Sequence, residues 1–458
     1  VRTPSLDRGA QRSRGDFWRG LGPPETGREL ALRVLHRVER EGAFANIALQ
    51  AALARSSLSE AERELATELV LGVLRWRARL DWTLQANCGR PLGELPPAIR
   101  QVLRMGAYQV LFLQRVPAAV AVSSGVDLAK RYGHRGTAAL VNAVLRRVAR
   151  EGEAALPQAP DHRLAVLGSH PLWLVRRWLT RWPQDEVRAL CKANNTPPTA
   201  HVRVNTLRAS PSAVADRLAR AGLEVERGAL PESLRVRGPL GPRLTLAEEG
   251  WIVAQDEAAM VVAHAVDPQP GELVVDACAA PGGKATHLAA LMGDQGRVVA
   301  CDVHPRKVEV LARRARVLGA GCVEARRCDA RSLDVRGAHR VLVDAPCTGL
   351  GVVRRRPEIR WRVQPEDLPR AAAVQREILL GASRAVREGG VLVYSVCSTE
   401  PEEGEGVVQW IVASGGFMPE PFRVPWGDGT LEAQDGTLRL WPHRHGTDGY
   451  FVARLRRT

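Results

Sequence analysis

VDACAAPGGK, residues 275–284, decides the fold class. An apolar stretch ends in an aspartate, small residues and two glycines follow, and Lys284 opens a run with helical spacing. A strand that turns through a tight small-residue loop into a helix is the first unit of an α/β sheet. Such sheets bind ligands at the carboxyl ends of their strands. Gly282 and Gly283, with Cys278, Ala279, Ala280 and Pro281 before them, let the backbone come close to a bound molecule. The run is neither GxGxxG nor a phosphate-binding P-loop, which disfavours NAD and ATP.

Outward from this loop the chain alternates. Strands are expected at 273–277, 297–302, 322–327, 340–344 and 391–396, and helices near 284–292, 305–318, 367–388 and 403–413. YFVARL (450–455) would add a strand. The alternation predicts a Rossmann-like, doubly wound parallel sheet over 269–458. Three strand ends carry acids, Asp302, Asp329 and Asp344. One acid so placed often only caps a helix. Three in register read as an adenosine pocket, with Asp302 on a ribose diol, Asp329 at an adenine edge, and Asp344 facing both the donor and a cytosine amino edge.

Two strand ends also carry cysteines: Cys347 in VDAPCTG (343–349) and Cys397 in YSVCST (394–399). Carbon 5 of a pyrimidine is a poor nucleophile. A thiolate adding at carbon 6 makes it an enamine that can attack an activated methyl group, and a second group must then help remove the carbon 5 proton so that the sulfur leaves. Thr399 and Glu402 have capping-box spacing, with Pro401 in the first turn, which predicts that Cys397 sits just before a helix N-terminus. The partial positive charge there favours a thiolate. Spacing alone does not choose the nucleophile, since DNA cytosine methyltransferases use the cysteine of their PC motif; the expected cap leans to Cys397. After Cys347 runs GLGVVRRRPEIRWR, with Arg354, Arg355, Arg356, Arg360 and Arg362 around Trp361. Basic residues interleaved with an aromatic suit a single-stranded nucleotide splayed into a pocket, or else form a solvated basic loop.

The rest of the chain bounds the setting. Its 458 residues suggest about three domains, and 45% hydrophobic content supports real cores. The net charge of +15, almost all of the cationic side chains being arginine, suits a polyanion. No apolar run reaches the ~20 residues needed to cross a bilayer. Residues 1–27 read as a disordered basic tail with no secretory leader, and a cytoplasmic location is expected. The eight cysteines include no CxxC pair, so they are expected to be free thiols with no zinc site, and Cys301 and Cys322 read as small buried hydrophobes. HRHGTDGYF (443–451) reads as a loop and strand closing the sheet, without a metal partner set.

From 28 to 150 the apolar residues keep helical spacing, as in Leu30, Val34, Leu35 and Val38 or Val141, Val144, Leu145 and Val148, which predicts an all-α domain of five or six helices. A helical linker follows over 151–195, with Trp173, Trp178 and Trp182 read as core. Alternation in HVRVNTLR, a helix from Ser212 to Ala221 and short strands with Gly/Pro turns up to Gly250 predict a small α+β, ferredoxin- or RRM-like subdomain over 196–268.

Taken together, these motifs resemble the RNA 5-methylcytosine methyltransferases of the NOL1/NOP2/Sun family, over nearly the whole chain. The family's cofactor loop matches Cys278 through Lys284, its acids match Asp302, Asp329 and Asp344, and its PC motif matches Pro346-Cys347. Its TCS motif matches Val396-Cys397-Ser398, with Val396 in place of the usual threonine. RVNTLR and the closing DGYF also resemble family signatures, and residues 28–150 resemble the NusB-like RNA-binding domain. The resemblance implies S-adenosylmethionine as cofactor, no metal, Cys397 as nucleophile and Cys347 assisting release. It implies methylation of a cytosine in 16S rRNA by a monomer, with another RNA, or RNA binding by an inert methyltransferase half, as alternatives. DNA methylation would need a target-recognition insert and a cofactor loop near the N-terminus, and the chain shows neither.

Overall fold

The computed structural model describes residues 22–238 and 240–458. The expected basic tail therefore lies outside the described residues as far as residue 21. Among the described residues two compact units emerge: residues 22–196 together with Val353–Arg362, and Pro197–Val352 together with Val363–Thr458.

The first unit is helical. It opens with α1 (Gly27–Arg40), α2 (Ala45–Ala54), α3 (Glu60–Arg75), α4 (Arg77–Asn87), α5 (Pro97–Phe112), α6 (Ala118–Tyr132) and α7 (Arg135–Glu151). These are seven helices among the described residues, not five or six. The periodicity hides one boundary because Trp76 both ends α3 and starts α4 without a Gly or Pro break. Elsewhere the caps are explicit: Thr26 and Ser59 accept from the amides of Glu29 and Glu62, and His134 and Thr137 cap α7 reciprocally. The expected stripes converge on one core, where Leu30, Val34 and Leu35 join Leu69, Val73, Ile99, Val102 and Leu145. Next come α8 (Pro160–Leu167), α9 (Leu172–Leu179) and α10 (Gln184–Asn195), with Trp178 buried as core.

The second unit begins with a four-stranded antiparallel sheet. Its elements are β1 (Ala200–Val204), α11 (Pro211–Arg220), β2 (Glu224–Arg227), β3 (Ser233–Arg237), α12 (Leu240–Glu248) and β4 (Ile252–Ala254), in the strand order β2-β3-β1-β4. This is the ferredoxin-like βαββαβ arrangement. The helix α12 replaces the turns expected before Gly250; Pro242 lies in its first turn, where no intrahelical N–H is required.

The large sheet follows, from α13 (Glu257–Val266) through β5 (Leu273–Asp276), α14 (Gly283–Leu291), β6 (Arg297–Asp302), α15 (Pro305–Leu318), β7 (Val323–Arg327) and β8 (Ala338–Asp344). After the single turn α16 (Ile359–Arg362) come α17 (Asp367–Ser383), β9 (Val386–Val396), α18 (Glu405–Ala413), β10 (Phe417–Pro419), β11 (Phe422–Trp426), β12 (Gly429–Ala433), β13 (Thr437–Leu440), α19 (Pro442–His445) and β14 (Tyr450–Arg457). The order is β10-β14-β9-β8-β5-β6-β7, with β13 beside β14. β9 through β7 run parallel as expected, but β14 pairs antiparallel with β9, so the sheet is mixed at that side. β5, β6 and the second half of β9 are buried on both faces and read as continuous apolar runs, whereas β7 is only partly buried.

The arginine-rich run does not form a solvated loop. Val353–Arg362 belongs to the helical unit. Arg360 is fully buried and donates to the carbonyls of Ser169 and Asn194 and to Oδ1 of Asn195. Trp361 donates its Nε1–H to the Leu74 carbonyl, and Arg362 donates to the carbonyls of Val38 and Ala43. Charge pattern misled here because guanidinium groups serve buried carbonyls as readily as phosphates.

RVNTLR has a structural meaning. Arg203, 1% exposed, donates from Nη1 to the Gly283 carbonyl at 2.6 Å and to Gln255 at 2.9 Å, and from Nη2 to Thr286 Oγ1 at 3.0 Å. Asn205 donates to the carbonyls of Gly250 and Leu318. The small sheet is thereby pinned to α14, the helix that follows the small-residue loop 277–282. Burial lowers the pKa of Arg203 to about 9, which leaves it charged at neutral pH. Replacing it with methionine strands those acceptors, and we expect a loss of about 2–3 kcal/mol of stability in denaturant melts.

Candidate active site

β8 and β6 flank β5 on opposite sides, so the chain reverses its winding at β5. Ligands bind at such a switch point. The register sets Asp276 beside Leu342 and Asp344 beside Ser395, and thus gathers the ends of β5, β8 and β9.

The loop after β5 is shaped for close approach. Gly282 caps α14 with φ +97, and a Cβ there would sit 3.3 Å from Leu311. Asp276, the last residue of β5, is fully buried, and no side chain among the described residues hydrogen-bonds its carboxylate, which only the Cys278 backbone approaches. Burial and then the neighbouring Asp344 push its pKa up to about 7. Sequence reading passed over this residue although it lies inside the quoted run; its place as the last strand position before the loop was the available signal. Burial, and the carboxylates of Asp276, Asp344, Asp302 and Asp329, push the Cys278 thiol far up. Four acids therefore surround one small-residue loop. An orphaned carboxylate in that setting fits a ligand with cationic groups and a ribose.

The outer acids are partly engaged. Asp302 Oδ1 accepts from the His304 amide at 2.8 Å. Asp329 caps the turn after β7 through the Arg331 amide at 3.0 Å and pairs with its guanidinium at 2.6 Å. Their strand ends are also bonded to each other. Cys301 and Cys328 form a disulfide, contrary to the expectation of free thiols, because the parallel pairing of β6 and β7 brings residues 27 apart in sequence to a Cα–Cα distance of 5.5 Å.

Cys347 and Cys397, 50 residues apart, meet with their sulfurs at 3.3 Å, and both are half-buried. Lys284 Nζ lies 2.7 Å from Asp344 Oδ2 and 3.4 Å from Tyr450 Oη, while Ser395 Oγ donates to Asp344 Oδ1 at 2.8 Å. Burial opposes the charge on Lys284, yet Asp344, Cys397 and Asp276 raise its pKa above the usual value. The hydrogen bond to Cys397, burial and the nearby carboxylates raise the pKa of Cys347 and hold it as a thiol.

The expected helix cap at Cys397 is absent. α18 starts at Glu405 behind Gly404, which makes no side-chain cap, and Thr399 Oγ1 donates instead to Glu400. The segment is drawn into turns because Tyr394 donates to the Glu403 carbonyl and Ser398 to its carboxylate. The positive charge beside Cys397 is the Lys284 ammonium rather than a helix terminus.

HRHGTDGYF forms α19, a loop and the start of β14, and brings Tyr450 to Lys284. A separate trio lies behind the loop: Glu232 Oε1 is 3.0 Å from His264 Nε2 and 2.9 Å from His287 Nε2. Burial and Arg203 lower the pKa of His287 to about 3, so it is neutral. Arg203 balances the Glu232 charge, and the trio ties the turn before β3 to α13 and α14.

Such a sheet, with an acidic small-residue loop at its switch point, defines a Rossmann-like methyltransferase domain. Comparison with known proteins agrees. The model of the 16S rRNA methyltransferase RsmB/F family matches residues 263–456, that of the NusB family 25–150, and the ferredoxin-like domain of RsmF/B-like methyltransferases 170–241. The probable ribosomal RNA small subunit methyltransferase B of Bacillus subtilis is 36% identical over 94% of this chain and 98% of its own. Ribosomal RNA small subunit methyltransferase B of Thermus thermophilus is 38% identical over the same shares, 94% and 98%. The crystal structure of PH0851 superposes with a TM-score of 0.79 at 30% identity, covering 93% of this chain and 98% of that one. The chain belongs to the RsmB/F family of RNA methyltransferases.

Cys397 is backed by an unusually close backbone contact. Gly351 N–H donates to the Cys397 carbonyl at 3.0 Å, and Gly449 N–H donates to the Gly351 carbonyl at 2.8 Å. A Cβ on Gly351 would lie 2.0 Å from the Gly449 oxygen and 2.9 Å from that of Cys397. Gly351→Ala must shift one of them by about an ångström, and we expect turnover to fall roughly 100-fold in a methyl-transfer assay.

Proposed function

We propose that this protein transfers a methyl group from S-adenosylmethionine to carbon 5 of a cytosine in small-subunit rRNA, through a transient bond between Cys397 and carbon 6. The observation that carries this reading is the pair of sulfurs 3.3 Å apart, beside a partly buried lysine and a loop ringed by carboxylates. The names of the relatives support rRNA as substrate, and that substrate would place the protein in the cytoplasm.

Residues Cys278 through Lys284 would cradle the cofactor, with Asp276 facing its ammonium and Asp302, Asp329 and Asp344 its adenosyl part. When bound, S-adenosylmethionine supplies an electrophilic methyl group. The Lys284 ammonium stands beside the Cys397 sulfur. The Cys397 thiolate adds to carbon 6, and carbon 5 becomes nucleophilic. Bond formation neutralises the Cys397 sulfur, one of the groups that keep Cys347 protonated, so Cys347 can then give its proton to water. The Cys347 thiolate takes the carbon 5 proton, the electron pair left at carbon 5 re-forms the ring double bond, and the carbon 6–sulfur bond breaks to return Cys397 as a thiolate. Asp344, held by Lys284 and Ser395, would also address a cytosine amino group.

Cys397→Ala should abolish turnover, whereas Cys347→Ala should leave a covalent protein–RNA adduct that survives denaturing gels. Full activity of the first variant would reverse the roles. Bisulfite sequencing of 16S rRNA should show one protected cytosine that disappears in a strain lacking the gene.

The cofactor's affinity should also depend on pH. Asp276 is protonated below about 7 in the free protein, and a cationic ligand requires the carboxylate, so binding expels a proton there and strengthens as pH rises through 7. In the free protein the sign is opposite. The raised pKa stabilises the fold fully below the unfolded value near 4, and this contribution is lost as pH climbs to about 7. Calorimetry in buffers of different ionisation enthalpy should detect the expelled proton, and Asp276→Asn should abolish it.

A further inference from the structure

Glu403 is fully buried, and its carboxylate gathers four hydrogen bonds. Oε1 accepts from the Thr348 amide at 2.8 Å and from Gln375 Nε2 at 3.0 Å; Oε2 accepts from Thr348 Oγ1 and Ser398 Oγ, both at 2.5 Å. Thr348 and Ser398 are the residues directly after the two cysteines. Gln375 also donates to the Pro346 carbonyl at 3.0 Å, directly before Cys347. Cys347 is therefore gripped on both sides by one carboxylate and its partner amide.

The two cysteines depend on this hub unequally. Cys397 directly follows β9, which is paired with β8 as far as Ser395 and with β14 as far as Val396, and its carbonyl is held by Gly351. Cys347 lies beyond the end of β8, where the ladder has stopped. Its remaining tethers are those through Glu403 and Gln375 and the backbone bond of Ala345 N–H to the Ser395 carbonyl.

We propose that Glu403 is a positioning residue for Cys347, holding the 346–348 segment against Cys397 so that the methylated base can be released. The proposal rests on the reading of Cys397 as nucleophile and Cys347 as release group. Loss of the hub frees Cys347, three residues past its ladder, while Cys397 keeps the paired Val396 before it and the Gly351 bond, so addition to the base survives and the step after methyl transfer slows. A residue that served only stability would affect both halves alike.

The test uses the full chain, a 16S rRNA transcript and tritium-labelled S-adenosylmethionine, and reads covalent adduct on denaturing gels beside product release in single turnovers. Glu403→Ala should still form adduct but release it about 100-fold more slowly, the cost of a misplacement of about an ångström. Glu403→Gln should recover most of the rate, because its oxygen can accept from the Thr348 amide and Gln375 while its amide donates to the two hydroxyls. Thr348→Val deletes one tether at nearly constant shape; it should accumulate adduct, and more of it than Ser398→Ala, even if Glu403→Ala does not fold. Two results would overturn the proposal: wild-type release in both Glu403→Ala and Thr348→Val, or Glu403→Gln no better than Glu403→Ala. If Cys347→Ala fails to trap adduct in the same assay, it is the reading of the cysteines that falls.

Discussion

An ammonium group must stay charged inside a buried pocket for this site to exist. Lys284 does so because Asp344 lies 2.7 Å away and because Asp276 and Cys397 add negative charge around it. An isolated buried ammonium would lose its proton, and an isolated carboxylate would gain one. The pair joins the start of α14 to the end of β8, and so fixes the small-residue loop before α14 relative to the cysteine-bearing strand ends. Burial and then Asp344 raise the pKa of Asp276, and Lys284 offsets them only in part.

The architecture supplies what that pair requires. Parallel strands β9, β8 and β5 end together, so side chains distant in sequence arrive on one side of the sheet. β14 then runs antiparallel to β9 and brings Tyr450 over Lys284 and Gly449 against Gly351. The small ferredoxin-like sheet contributes through Arg203, whose bonds to Gly283 and Thr286 hold the helix that carries Lys284. Elements with no reactive groups thus set the positions of those that have them.

The errors in reading the sequence share a physical origin. Thr399, Pro401 and Glu402 have the spacing of a helix start, but the long-range bonds made by Ser398, Glu403 and Tyr394 outweigh that local preference and delay the helix to Glu405. Arg360 and Trp361 look like ligand-binding residues in a one-dimensional list, yet they satisfy carbonyls of the helical unit. The Cys301–Cys328 bond could not be read from spacing, because nothing local says that β6 and β7 are neighbours. Asp276 was overlooked because an acid at a strand end looks ordinary until its burial and lack of partners are known.

From the sequence alone came the three-part organisation, the parallel strands and their order along the chain, the loop from Cys278 to Lys284 and the two cysteine motifs. These follow from periodicity and from backbone needs at glycine and proline, which act over a few residues. Which sulfur is held as a thiol, what charge stands beside the other, and which carboxylate braces them depended on the tertiary structure. Electrostatics and hydrogen bonding in a buried site are set by burial and by groups 50 or more residues away in sequence, and only folding brings those together.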